Sequence, residues 1–135
     1  MISATLLNQI KKVLEKNKHV IASYVIGSVA KGRQGNESDF DLVVVVESKK
    51  QTNEDTVYEL VRSISFPCDL DLSVVDTSSS PLFLFHVISG ICVYCRSELD
   101  RVAFEAYAMK NYYDTQHMRN IYNSYLEEKF HSYAH

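Results

Sequence analysis

Leu6, Leu7, Ile10, Val13 and Leu14 recur at helical spacing, which predicts an amphipathic helix over roughly Ser3 to Lys16. Val20 to Ile26 is rich in β-branched and aromatic residues and stops at Gly27, the pattern of a strand ending in a tight turn. A polar stretch, Ser28 to Ser38, follows. The run Leu42 to Val46 is then apolar without alternation, as expected of a central strand covered on both faces. Thr52 with Asp55 three residues on resembles a capping box, and Val57, Leu60, Val61 and Ile64 give a helical stripe that must end before Pro67. Asp69 to Val75 alternates polar Asp69, Asp71 and Ser73 with apolar Leu70, Leu72 and Val74, predicting a strand with one face open to a cleft. Serines 78–80 before Pro81 predict a helix start, Gly90 its close, and Ile91 to Tyr94 a last short strand. Leu99, Val102, Ala106, Tyr113, Ile121 and Tyr125 keep a helical period through the tail, as one long helix or two shorter ones.

Helices that alternate with strands predict an α/β (α+β) fold with a small mixed β-sheet flanked by helices. At 135 residues there is room for one domain, 1–135, with a core of about 1–96 and a helical tail of about 97–135. Hydrophobic residues at 46% and charged residues at 23% exclude collagen-like and disordered chains. The net charge of −3 and the scattering of 14 Lys and Arg argue against a long nucleic acid as partner. No apolar run reaches the ~20 residues that cross a bilayer, and no export signal opens the chain, so the expectation is a cytoplasmic protein with no membrane partner. Cys68, Cys92 and Cys95 are read as buried structural thiols, because no second Cys pair or nearby His completes a zinc set around the C-x-x-C. His86 lies in the apolar stretch Leu82 to Ile88 and reads as a packed residue.

The candidate chemistry is concentrated in Gly27-Ser28-Val29-Ala30-Lys31-Gly32 and in Ser38-Asp39-Phe40-Asp41-Leu42. Asp39 and Asp41 are two apart at the start of a strand, so their carboxylates point to the same side. Like charges held together cost stability unless a cation neutralises them, and hard oxygen ligands select Mg²⁺ or Mn²⁺, which share their coordination with substrate phosphates. On its own the D-x-D spacing also suits two solvated turn residues. Gly27-Ser28 changes that balance: glycine lets a backbone approach an anion, serine adds a hydroxyl, and free N–H groups at a helix start favour phosphate. Asp71 on the later strand reaches the same cluster if that strand neighbours the one carrying Asp41. Three carboxylates, two metal ions and a triphosphate suffice for in-line attack at phosphorus.

Gly27-Ser28, ten residues, then Asp39-Phe40-Asp41 resembles the GS-x10-D-x-D signature of the DNA polymerase β-like nucleotidyltransferases. With Ala30, Gly32, Ser38 and Leu42 the segment is similar to the minimal nucleotidyltransferase (MNT) branch, and Cys68-Asp69-Leu70-Asp71-Leu72 resembles that branch's third-carboxylate strand. The resemblance implies a polymerase β-like palm fold. Within the branch the chain most resembles antitoxins of the MntA type, paired with a HEPN-domain (HepT-type) ribonuclease toxin. What this implies is transfer of AMP from ATP to a tyrosine hydroxyl of the toxin, with release of pyrophosphate. By position, Asp39 and Asp41 would bind both Mg²⁺ ions, and Asp71 would bind the catalytic ion and help deprotonate the acceptor. Gly27 and Ser28 would hold the β and γ phosphates, with Lys31 and Ser38 also at the nucleotide. Lys31 stands where Arg is frequent, keeping the charge and losing the bidentate fork. Asp69 shares a strand face with Asp71 and is the alternative third acid; Leu72 after Asp71 favours the latter.

Two other functions compete. One is an antitoxin that inhibits by binding alone, to which a tail carrying Tyr107, Tyr112, Tyr113, Tyr122, Tyr125 and Tyr133 is suited. The other is nucleotide transfer to a small molecule or an RNA end, which the acidic balance disfavours.

Overall fold

The computed structural model describes residues 2–32 and 39–134, with side chains to residue 131. Helix α1 (Ala4–Leu14) starts where Ser3 accepts the Leu6 amide at 3.2 Å and buries Leu6, Ile10 and Leu14. Strand β1 (Val20–Ile26) leads into the single-turn α2 (Gly27–Ala30), and β2 (Phe40–Val46) returns beside it. Helix α3 (Glu54–Val61), β3 (Leu70–Val75), α4 (Pro81–Ile88), β4 (Ile91–Cys95) and α5 (Glu98–Ala134) complete the order. The strands lie in the order β3-β2-β1-β4, with β2 and β3 parallel and the other pairs antiparallel, so the sheet is mixed and β1 and β2 are its inner strands.

Both faces of the sheet are covered. Phe40, Leu42, Val44 and Val46 of β2 join α1 and α3 in one core, while Val43 and Val45 join Tyr24, Val75, Leu84, Val87, Phe104 and Ala108 in a second core under α4 and α5. That two-sided burial is why Leu42 to Val46 carries no alternation. On β3, Leu70, Leu72 and Val74 pack into the first core, leaving Asp71 on the other, exposed face. A register shift opposite Ser23 and Tyr24 pairs Cys92 with Tyr24 and Cys95 with Ala22, so the bulge turns both half-buried thiols toward the second core.

Local signals were shifted in two places. Asn53, not Thr52, caps α3: its Oδ1 accepts the Thr56 amide at 3.0 Å while Thr52 is buried. Ser80 precedes α4 without a side-chain cap bond; the nearby Asp76 instead accepts from Ser78 N at 2.9 Å and from Lys49 N at 2.9 Å, tying the β3–α4 turn to the β2–α3 loop. The tail is one helix. Phe104 and Ala108 bury its first part, Tyr24 donates to Glu105 at 2.8 Å, and Tyr112 stacks on Phe85 at 4.0 Å between ring centroids. From Tyr113 to His131 the described residues of α5 include none that is buried. No helix among the described residues is long and apolar enough to cross a membrane.

Candidate active site

Backbone register assembles the site. Ile26 at the end of β1 pairs with Asp41 near the start of β2, and Asp41 pairs with Asp71 on β3. One row across three strands therefore carries the Gly27 turn, Asp41 and Asp71. The β2–β3 ladder begins just below it, where the Phe40 amide donates to the Asp69 carbonyl at 2.7 Å. Asp41 and Asp71 both project from the α4/α5 face, since Val43 and Val45, two and four residues on, lie in that core.

The backbone at the turn explains the glycine. Gly27 has φ +77°, a conformation that L side chains rarely adopt, and a Cβ there would run into the Asp41 carboxylate. Gly27 both turns β1 into α2 and leaves the space that the Asp41 side chain fills. Ser28 and Lys31 follow on α2 and at its C-terminal end.

Electrostatics mark the same residues. Burial, then hydrogen bonding and repulsion from Asp71, then repulsion from Asp39, push the Asp41 carboxyl above the usual carboxylate range, and His86 partly offsets them. A carboxylate held against another carboxylate without a cation is unfavourable, and a divalent ion on the pair removes the penalty. Among the described residues no three His, Cys, Asp or Glu side chains form a closed metal cage. An open pair of carboxylates fits Mg²⁺, which keeps several waters and is bound through one or two carboxylates together with substrate phosphates. It does not fit a structural zinc site.

Of the residues expected at the site, the fold brings Gly27, Asp41 and Asp71 together, with Ser28 and Lys31 on the adjoining helix. Asp39 is exposed just before β2 and acts on Asp41 through its charge. Ser38 lies outside the described residues. Asp69 is exposed one residue before β3, and it is Asp71 that meets Asp41 in register.

The family described as polymerase beta, nucleotidyltransferase matches residues 8–99, spanning β1 through β4. The chain belongs to the polymerase β nucleotidyltransferase family. No curated protein matches the sequence. Several solved structures share its fold. One is of a toxin–antitoxin with AMP-PNP, at TM-score 0.63 and 22% identity over 92% of this chain and 98% of that one. Another holds a tri-AMPylated Shewanella oneidensis HEPN toxin in complex with an MNT antitoxin, at TM-score 0.62 and 18% identity over 93% and 97% of the two chains. A third, of the toxin–antitoxin MntA–HepT, matches at TM-score 0.59 and 18% identity over 95% and 99%. These likenesses are of fold and span more than nine-tenths of the chain.

His86 corrects the sequence reading. It is exposed rather than packed, close enough to Asp41 for its charge to be felt there, and it lines a cavity of about 230 Å³ with Ile26, Gly27, Lys31, Ser89 and Gly90. Its apolar neighbours concealed it, and no local pattern in the sequence places α4 over the end of β1. A larger cavity, about 500 Å³, opens on the α1/α3 side between Ser3, Leu6, Val29, Phe40, Phe66 and Pro67; among the described residues no carboxylate lines it.

Proposed function

We propose that this nucleotidyltransferase is an antitoxin that transfers AMP from ATP to a tyrosine hydroxyl of a HEPN-domain toxin and thereby neutralises it. The observation that carries the reading is the register pair Asp41–Asp71 beside the Gly27 turn, on a fold shared with complexes of a toxin–antitoxin with AMP-PNP and of a tri-AMPylated HEPN toxin.

Asp39, Asp41 and Asp71 would hold two Mg²⁺ ions, which when bound supply positive charge to the attacking and departing oxygens. Gly27 and Ser28 would hold the β and γ phosphates, aided by Lys31, and so fix the α-phosphorus over the Asp41–Asp71 pair. Asp71, exposed on the edge strand, is open to an acceptor arriving from outside and takes the proton of its hydroxyl. The acceptor oxygen then bonds to the α-phosphorus as the bond from that phosphorus to the bridging oxygen breaks. Pyrophosphate leaves with that electron pair, and AMP remains on the tyrosine as a phosphodiester.

Binding alone is the second reading, favoured by the far part of α5, where Tyr113, Met118, Ile121, Tyr122, Tyr125 and Phe130 are all exposed. The deciding experiment is co-expression with a HEPN-domain toxin that the chain neutralises, followed by intact-mass measurement of that toxin. Addition of whole adenylyl groups, lost with Asp41→Asn, supports transfer. An unmodified but neutralised toxin assigns neutralisation to binding.

A further inference from the structure

We propose that His86, with Lys31, seats the β,γ-diphosphate of the nucleotide, so that His86 separates a triphosphate from a monophosphate; this rests on the nucleotidyl-transfer reading above. The cavity that His86 lines is bounded by Ile26, Ala30 and Ile91 on its apolar side and by Gly27, Lys31 and His86 on its polar side. It opens one strand over from the carboxylates, because Ile26 is the register partner of Asp41. A phosphate chain that starts over Asp41 and Asp71 and crosses Ile26 and Gly27 enters it.

The neighbouring donors narrow what the cavity can bind. Ser89 Oγ donates to the Phe85 carbonyl at 2.9 Å, Ser89 N to His86 O at 3.2 Å and Gly90 N to Val87 O at 3.0 Å, so the α4–β4 turn satisfies its own donors. Among the described residues, Lys31 and His86 are the two basic side chains lining the cavity. Two basic groups beside a bare glycine backbone suit an anion; a nucleobase needs neither. About 230 Å³ accommodates a diphosphate with its waters. The position of His86 is fixed by packing: a Cβ on Gly90 would collide with the Val25 carbonyl and with Ile26, so only glycine lets the turn that follows His86 close onto the end of β1. Val87 and Leu84, fully buried, anchor the rest of α4.

The test is calorimetric titration of the whole protein in Mg²⁺ with ATP, pyrophosphate and AMP, for wild type, His86→Ala, His86→Gln and Lys31→Ala, with melting curves alongside. Loss of one hydrogen bond to a phosphate weakens binding by roughly tenfold or more. The expected result is that loss for ATP and pyrophosphate in His86→Ala, with AMP affinity unchanged and part of the loss restored in His86→Gln. ATP affinity within twofold of wild type in both His86 variants overturns the assignment, and so does an equal loss for AMP, which would put base or sugar in the cavity. Wild type that transfers AMP while His86→Ala binds ATP normally overturns this inference alone. Wild type that binds no ATP overturns the transfer reading with it.

Discussion

Asp41→Asn should make the metal-free protein more stable while abolishing transfer. Adjacent strands stand roughly 4.8 Å apart, and two unit charges at that spacing repel by about 1 kcal/mol in water and about 3.5 kcal/mol at an effective dielectric of about 20. Asp71 is exposed and Asp41 only half-buried, so solvent screening puts the cost near the lower figure, about 1 kcal/mol. The sign follows from the direction of the shift. The folded-state value of Asp41 lies above its unfolded one, so the stability it confers is complete below the unfolded value and is lost as pH rises through the folded value. At neutral pH the wild type bears that loss and the amide does not. For a chain of this size about 1 kcal/mol moves the melting temperature by roughly 3 to 5 °C. Differential scanning fluorimetry in EDTA should therefore show Asp41→Asn melting higher than wild type at pH 7, with the gap closing as pH falls below about 4, the unfolded value, where the carboxyl becomes protonated in both states. Adding Mg²⁺ with ATP should reverse the order, since wild type gains the stabilisation of a bound ligand and the variant gains little. A variant that melts lower than wild type at pH 7, or a gap that ignores pH, would refute the idea that Asp41 is held in unfavourable company.

Three further outcomes are expected. Gly27→Ala should cost roughly 1–3 kcal/mol, from a left-handed backbone and a Cβ driven at Asp41, and should remove transfer even at temperatures where circular dichroism shows it folded. Asp71→Asn should reduce the rate of AMP transfer by orders of magnitude while ATP affinity in Mg²⁺ falls far less, measured by single-turnover kinetics against calorimetry; Asp69→Asn is the control and should stay near wild type. Tyr112→Ala should lower the melting temperature by several degrees, because its ring stacks on Phe85 and lies under the Arg119 guanidinium at 4.7 Å, whereas Tyr113→Ala, which loses only edge-on contacts with Phe85 and Tyr112 from an exposed ring, should melt closer to wild type and is the one to lose affinity in a toxin pull-down.

What the sequence revealed was local or repeated. The α1 stripe, the apolar run of β2, the alternation of Asp69 to Val75 and the Pro81 start are each set by neighbours a few residues apart, and each reappears as an element. Gly27 with Asp41 was legible because a turn glycine and a strand-entrance carboxylate are close in the chain. What stayed hidden depends on contacts across the sheet. His86 reads as one of a row of apolar residues until α4 is laid over β1, and the preference for Asp71 over Asp69 becomes geometric only when β3 pairs in parallel with β2. Adjacent Tyr112 and Tyr113 are turned apart by helix rotation, about 100° per residue: Tyr112 stacks on Phe85, 27 residues before it, while Tyr113 meets that ring edge-on at 6.1 Å and stays exposed.

The carboxylates also do structural work in this arrangement. Because β2 is apolar on both faces, its hydrophobic pattern alone does not penalise a slip by one residue: Val43 and Val45 exchanged with Leu42 and Val44 would still bury apolar surface. Asp41 does penalise it. A one-residue slip turns that side chain beneath α1 and α3, where an unpaired carboxylate costs several kcal/mol, while the native register leaves it at the open end of the α4/α5 face beside Asp71. The same charge that costs about 1 kcal/mol in the metal-free site thus fixes the pairing of β1, β2 and β3. It follows that Asp41→Asn, though more stable, should show a looser register, read as faster amide hydrogen exchange in β2 near Leu42 and Val43 than in wild type. Equal protection there would assign the register to the flanking helices alone.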